Sequence, residues 1–101
     1  MTVVLTLTAP RALEDRVVQV LLEHEVAGEA GFSVREVYAY GRGRVFKTVA
    51  ERIGGRIRQI EVEFLISADR AQLIVDQLGS SLGGLDVSWR IHTLTAAGTF
   101  P

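Results

Sequence analysis

The sequence has 101 residues, of which 48 per cent are hydrophobic and 23 per cent are charged, so it predicts one globular domain, 1–101, with a single core. Its net charge of −1 argues against general binding of nucleic acid, and the lack of cysteine excludes disulfides, thiolate metal sites and cysteine nucleophiles. No apolar run approaches the ~18 residues of a membrane span and the start lacks a basic leader, so we expect a cytoplasmic protein without membrane insertion.

The first predicted elements are a strand and a helix. Residues 2–8 largely alternate apolar side chains with threonine, and a period of two is typical of a strand with one buried face. Pro10 suits the first turn of a helix whose N-cap is Thr8, since proline lacks an N–H that this turn leaves unbonded. Apolar residues then recur at helical spacing as far as His24, where a cation near the helix end favours a structural role.

The middle of the chain predicts two strands separated by a long loop. A strand is expected over 32–40, with Val37 facing inward, and the four glycines of 41–56 interrupt any periodicity. The run 58–66 has the cleanest alternation in the chain and predicts a strand with one apolar face. The residues of that face are Ile60, Val62, Phe64 and Ile66.

The last third predicts a second helix and a fourth strand. Ser67 or Asp69 can cap a helix that stops at Gly83-Gly84, and residues 87–92 alternate again as a strand. The buried stripe of this helix is expected to contain Leu73, Ile74, Leu78 and Leu82. The element order predicts an α+β fold, a ferredoxin-like βαββαβ sandwich in which two helices cover one face of a four-stranded antiparallel sheet.

The other face of that sheet is uncovered in a single copy. Val4, Leu65 and Leu94 give it apolar surface, and an uncovered apolar face is a docking surface. A homo-oligomer is therefore predicted.

Positive charge is concentrated in one interval of the sequence. Residues 41–58 carry a net charge of +5, whereas residues 1–40 and 59–101 each carry −3. Guanidinium groups bind phosphate or carboxylate in a bidentate manner, and glycines allow a ligand close to the backbone. This interval predicts an anion site or, as an alternative, a surface that binds an acidic protein without any small ligand. Its candidate binding residues are Gly41, Arg42, Arg44, Lys47, Arg56 and Arg58.

The strand pattern resembles that of the PII-like signalling superfamily. Residues 33–42 resemble the second strand of that family, which ends in an aromatic residue, glycine and arginine before the long T-loop, so that 41–58 corresponds to the T-loop. Residues 59–69 resemble the third strand and the acidic start of the following helix. The first strand, the segment 51–56 and Trp89 are similar to a short branch of the superfamily that is often encoded beside heavy-metal efflux pumps.

This resemblance implies a regulatory homotrimer without catalytic activity. PII-like trimers hold a small effector between subunits, so the implied effector is an adenine nucleotide (ATP, ADP or AMP), bicarbonate or both. The T-loop engages a target, and the implied partner is a membrane transporter or efflux system. By position the resemblance assigns phosphate contact to Arg42 and close approach to Gly41. It also aligns Gly83 and Gly84 with the phosphate-binding B-loop, in a stretch that has glycines but no lysine.

A divalent-metal site is the alternative from a different class. His92 on the last strand and Glu61 and Glu63 on the third offer nitrogen and oxygen ligands if those strands pair, as in a CutA-like copper-tolerance protein. Because one histidine among exposed carboxylates is usually solvated, the prediction is that no metal is bound.

Neither a catalytic constellation nor an RNA-binding surface is predicted. The serines show no nucleophile-elbow motif and no histidine at diagnostic spacing, so an enzyme is not expected. An RNA-binding sheet of this fold needs stacking rings on its third strand. That strand offers only Phe64, on the side that faces the helices, so nucleic acid is not an expected partner.

Overall fold

A four-stranded antiparallel sheet with the strand order β2-β3-β1-β4 is the centre of the fold. The computed structural model describes residues 1–41 and 56–101. The strands are β1 (Thr2–Pro10), β2 (Ser33–Ala39), β3 (Ile57–Ser67) and β4 (Ser88–Thr93). A 3₁₀ turn (Arg11–Leu13) leads into α1 (Glu14–Glu23) and α2 (Glu25–Ala30), and α3 (Ala68–Leu82) joins β3 to β4. The predicted α+β ferredoxin-like sandwich is confirmed.

One face of the sheet carries the core. Antiparallel pairing places Leu5 opposite Phe64, and both side chains are fully buried. The ring of Phe64 packs at a tilt against Phe32, with 5.3 Å between the ring centroids. The buried residues of the two central strands are Val3, Leu5, Leu7 and Ala9 from β1 and Ile60, Val62, Phe64 and Ile66 from β3. The one-sided strand predicted from the alternation of 58–66 is thus confirmed.

The predicted first helix is divided into two. Pro10 ends β1 instead of opening the helix, and Thr8 lies within β1 rather than at a cap. His24 has an extended backbone between α1 and α2, and its Nδ1 accepts a hydrogen bond from the backbone N–H of Ala27. Nε2 therefore carries the proton and donates to Oε1 of Gln77, 2.7 Å away on α3. His24 is structural, as predicted, but it acts as the N-cap of α2, through its side chain, and not at the end of one long helix.

The second predicted helix is α3. Its N-cap is Ser67, whose Oγ accepts a hydrogen bond from the backbone N–H of Arg70 at 3.3 Å. Leu73 was wrongly included in the buried stripe, since it lies one position off the helical row and is exposed. The buried members of that stripe are Ile74, Leu78 and Leu82. Although α3 is the longest described helix, none in 1–41 and 56–101 is long and apolar enough to span a membrane.

The inward prediction for Val37 is wrong because pairing with β3 fixes the register of β2. Val37 pairs with Gln59 on the face away from the helices, while Glu36 and Tyr38 take the helix side. Both faces of β2 mix apolar and charged residues, so its own sequence could not decide which set turns towards the core.

Candidate functional site

The two ends of the cationic interval meet at one end of the sheet. The last residue of β2, Ala39, pairs with the first residue of β3, Ile57. The chain therefore leaves the sheet near Gly41 and returns to it at Arg56, and both are exposed there. Three of the predicted binding residues lie outside the described residues, so their roles stay predictions: Arg42, Arg44 and Lys47.

Five side chains form what we call the loop-base cluster on the helix side of this end: Arg11, Glu36, Tyr38, Arg56 and Arg58. Oε1 of Glu36 accepts hydrogen bonds from Nε of Arg11 at 2.8 Å and from Nη2 of Arg58 at 3.2 Å. The guanidinium of Arg56 lies over the ring of Tyr38, 4.1 Å from its centroid, in a cation–π contact. The cluster thus has three guanidinium groups and one carboxylate, which binds two of them, and this excess of positive charge favours an anionic ligand.

The two arginines stabilise the ionised form of Glu36. The hydrogen bond from Arg11, and secondarily that from Arg58, holds the pKa of Glu36 below its ordinary value. The three side chains nevertheless remain about half exposed, so a ligand from solvent can reach them.

A second ionic group, the sheet-face network, occupies the opposite face: Thr8, Arg35, Glu61 and Arg90. The Glu61 side chain is only 14 per cent exposed and accepts hydrogen bonds from Nε of Arg35 on β2 and Nη2 of Arg90 on β4, both at 3.0 Å. Nη1 of Arg90 also donates to Oγ1 of Thr8, so the network joins all four strands. Its hydrogen bonds, with Arg35 the larger contributor, lower the pKa of Glu61, and the same contact raises the pKa of Arg35.

This network predicts a loss of stability in acid. Because the pKa of Glu61 is lowered in the folded state, its contribution is present above the unfolded value of about 4.3 and disappears as the pH falls through the folded value. We expect Glu61→Gln to lower the free energy of unfolding by about 1–2 kcal/mol near neutral pH. Urea unfolding at several pH values should show the wild-type and variant stabilities converging in acid.

Glu63→Gln is the matched control for that experiment. Glu63 lies on the same strand and face but is exposed and makes no hydrogen bond within the described part of the chain. Its substitution should change stability little at any pH. If the difference in free energy of unfolding between wild type and Glu61→Gln stays constant from neutral to acid pH, the charge of Glu61 is not what stabilises the sheet.

The three metal-ligand candidates are not brought together. β1 separates β3 from β4, so His92 stands opposite Val4 and not opposite Glu61 or Glu63. Glu61 is already bound by two arginines. Within 1–41 and 56–101, no group of three histidine, cysteine or carboxylate side chains could hold a metal ion. The described geometry therefore does not favour the metal-tolerance alternative.

Gly83 and Gly84 lie at the same end of the sheet as the loop-base cluster, but at the opposite edge. They close α3 just before β4, whereas the cluster lies mainly on β2 and the start of β3, with Arg11 reaching it from the turn after β1. The N–H of Gly83 donates to the carbonyl of Gly79 at 3.0 Å, and a Cβ on Gly83 would lie 2.5 Å from that oxygen. Gly84 has a φ of +80°, a left-handed conformation that favours glycine. β4 lies three strand spacings, about 14 Å, from β2, which carries Glu36 and Tyr38.

An apolar groove of about 180 Å³ opens beside this glycine turn. Trp89 forms part of its rim and is half exposed. The groove is lined by Leu7, Val75, Leu78, Gly79, Leu82, Gly83, Val87 and Trp89. An apolar rim next to a glycine turn suits the non-polar part of a ligand or a neighbouring chain.

Sequence reasoning did not identify Arg11, Glu36 and Tyr38 as site residues. Arg11 is distant from the cationic interval in sequence, but Pro10 pairs with Gln59 and thereby brings it beside the start of β3. The signal existed, because a ferredoxin-like topology pairs the first and third strands. The register needed to place Arg11 could not be read from the sequence alone.

Comparison with known proteins shows what the chain is similar to. A family model described as "Protein of unknown function (DUF3240)" matches residues 1–101. A crystal structure of a DUF3240 family protein from Shewanella baltica has a TM-score of 0.69 at 19% identity and covers 99% of this chain and 97% of that one. The nitrogen regulatory PII-like protein CPII from Thiomonas intermedia, bound to ADP, AMP and bicarbonate, has a TM-score of 0.64 at 9% identity, covering 98% and 96%. CutA from Pyrococcus horikoshii has a TM-score of 0.64 at 15% identity, covering 97% and 88%. No curated protein matched the sequence.

Proposed function

This chain belongs to the DUF3240 family and has the fold of PII-like signalling proteins, and we propose that it is itself a regulatory protein of this type. In this proposal a homotrimer senses a small anionic effector, an adenine nucleotide, bicarbonate or both, in clefts between its subunits. The basic interval 41–58 binds a partner protein, such as a membrane transporter or efflux system, in a manner that depends on whether the effector occupies the cleft. No catalytic step is part of this function.

One observation carries the proposal: two groups of candidate binding residues lie at the same end of the sheet but at its opposite edges. The loop-base cluster lies at the β2–β3 edge and the glycine turn of Gly83 and Gly84 lies beside β4. Glu36 and Tyr38 on β2 are three strand spacings, about 14 Å, from β4, so a phosphate group or a bicarbonate ion bound at that edge does not reach the glycine turn within a single copy. When copies associate through their sheets, the edge of one subunit can face the other edge of its neighbour, and both groups can then border one cleft.

The uncovered sheet face supports association. Leu65 is 56 per cent exposed on this face, next to the half-buried Val4 with which it pairs. Further along the same face, the two arginines of the sheet-face network are paired with Glu61, so covering them strips water from charges that already have a partner. Glu63 lies between this network and Leu65 as an exposed carboxylate, so a second copy that covers the exposed leucine also has to leave Glu63 in water or supply a partner for it.

The effector claim is tested by isothermal titration calorimetry with ATP, ADP, AMP and bicarbonate. We expect heat from at least one of the four and a roughly 10-fold or greater loss of affinity in Arg58→Ala, because a hydrogen bond to a charged group contributes about 1.5–3 kcal/mol. Arg70→Ala is the matched control, since Arg70 is also half exposed and ion-paired but lies at the start of α3, at the far end of the sheet.

Two results would contradict the effector claim or its location. The absence of heat with all four ligands would remove the sensing role. Equal losses in Arg58→Ala and Arg70→Ala would place the ligand outside the loop-base cluster.

A further inference from the structure

One carboxylate oxygen in the loop-base cluster serves two arginines from different elements. Oε1 of Glu36 lies 2.8 Å from Nε of Arg11 in the 3₁₀ turn and 3.2 Å from Nη2 of Arg58 on β3. This atom marks a point where an anionic oxygen receives two charge-assisted hydrogen bonds. Glu36 lies on the edge strand β2. In this structure its carboxylate fills the position between the two arginines.

A phosphate group matches this arrangement better than Glu36 does. A phosphate monoester carries about −1.5 to −2 charges and three acceptor oxygens, whereas a carboxylate carries one charge and two oxygens. Of the three arginines in the cluster, Glu36 pairs with two, Arg11 and Arg58, through a single oxygen. Arg56 contacts Tyr38 with its guanidinium carbon 4.1 Å from the ring centroid, and a cation–π contact does not use the N–H groups of the guanidinium as donors to an oxygen. Separate phosphate oxygens can bind separate arginines.

We propose that Arg11 and Arg58 form a phosphate seat that Glu36 occupies as an internal competitor until a phosphate-bearing ligand displaces it. The inference rests on the proposed function for the anionic nature of the effector, and it adds Arg11 as a binding residue and Glu36 as the group that sets the affinity. Displacement of Glu36 does not require a buried charge to be exposed, because its side chain is already half exposed.

Replacement of Glu36 by a phosphate group would also affect the segment 41–58, which joins β2 to β3. In the unliganded state Arg58 ties β3 to β2 through Glu36. When a phosphate takes Glu36's place, Arg58 and Arg11 bind the ligand and this side-chain tie between the strands is released. Both strands lead directly into the cationic interval, so occupancy of the seat is coupled to the base of 41–58.

Titration with inorganic pyrophosphate, which contains no adenine, tests the seat directly. We expect Glu36→Gln to bind pyrophosphate roughly 3- to 10-fold more tightly than wild type, since the competing charge is gone. Adding Arg11→Ala to that variant should abolish the gain, and Arg11→Ala alone should bind more weakly than wild type. Glu29→Gln is the charge-matched control, because Glu29 is an exposed carboxylate that pairs weakly with Arg70 at the other end of the molecule.

Each outcome decides the proposal. Unchanged or weaker binding by Glu36→Gln overturns it, and so does an equal gain in Glu29→Gln, which would reflect general charge. A gain that persists without Arg11 overturns the assignment of the seat. If Glu36→Gln does not fold, unchanged binding by Arg11→Ala overturns the seat by itself. Failure of nucleotide and bicarbonate binding with the pyrophosphate pattern intact would remove the proposed effectors but leave the seat in place.

Discussion

Replacing Leu65 with glutamate is expected to convert the proposed trimer into single chains. Leu65 is exposed on the uncovered sheet face, beside Val4, and association would bury it. A carboxylate buried there without a partner costs several kcal/mol, and in a closed trimer every interface carries the substitution. Sedimentation should show the mass fall from about 33 kDa to the 11.1 kDa of one chain, with the circular dichroism spectrum unchanged.

Leu22→Glu provides the control for this substitution. Leu22 is 62 per cent exposed, close to the 56 per cent of Leu65, but it lies on α1 in the helix layer. The same charge at this position should leave the mass unchanged. If both variants remain trimeric, the uncovered sheet face is not the surface through which the copies associate.

Replacing Phe64 with alanine is expected to produce the largest loss of stability in a single chain. Phe64 is fully buried at the centre of the sheet, opposite Leu5 and against the ring of Phe32. Truncation of such a ring removes buried apolar area and leaves a cavity, which together cost about 3–5 kcal/mol. That is a large part of the 5–15 kcal/mol typical of a domain, so the urea midpoint should fall sharply.

The comparison for Phe64→Ala is Leu73→Ala, measured at the same protein concentration because association contributes to apparent stability. Leu73 lies on the exposed side of α3, so its truncation should cost less than about 1 kcal/mol. Similar losses in the two variants would mean that Phe64 is not central to the core.

The sequence predicts the fold well where one face of an element is clearly apolar. Ile60 to Ile66 alternate so regularly that only one register buries them, and β3 follows that expectation. Val37 fails because both faces of β2 are mixed and a neighbouring strand decides between them. The break at His24 also escapes prediction, since the helical spacing runs through it and the imidazole is held by Gln77 from a distant helix.

The candidate site also has residues that the sequence identifies and residues that it does not. Charge density along the chain identifies Arg56 and Arg58, because these lie close together in sequence. The roles of Arg11 and Glu36 depend on strand pairing, which brings a turn after β1 and an edge strand to the same point. Contacts between residues far apart in sequence require the register, and local patterns do not supply it.

Sedimentation equilibrium of the unmodified protein over a range of micromolar concentrations is the most direct test of a cleft shared between subunits. A homotrimer has a mass of about 33 kDa, three times the 11.1 kDa of the chain, and that is the result we expect. A particle of 11.1 kDa at every concentration would contradict it, since the loop-base cluster and the glycine turn would then never border a common cleft.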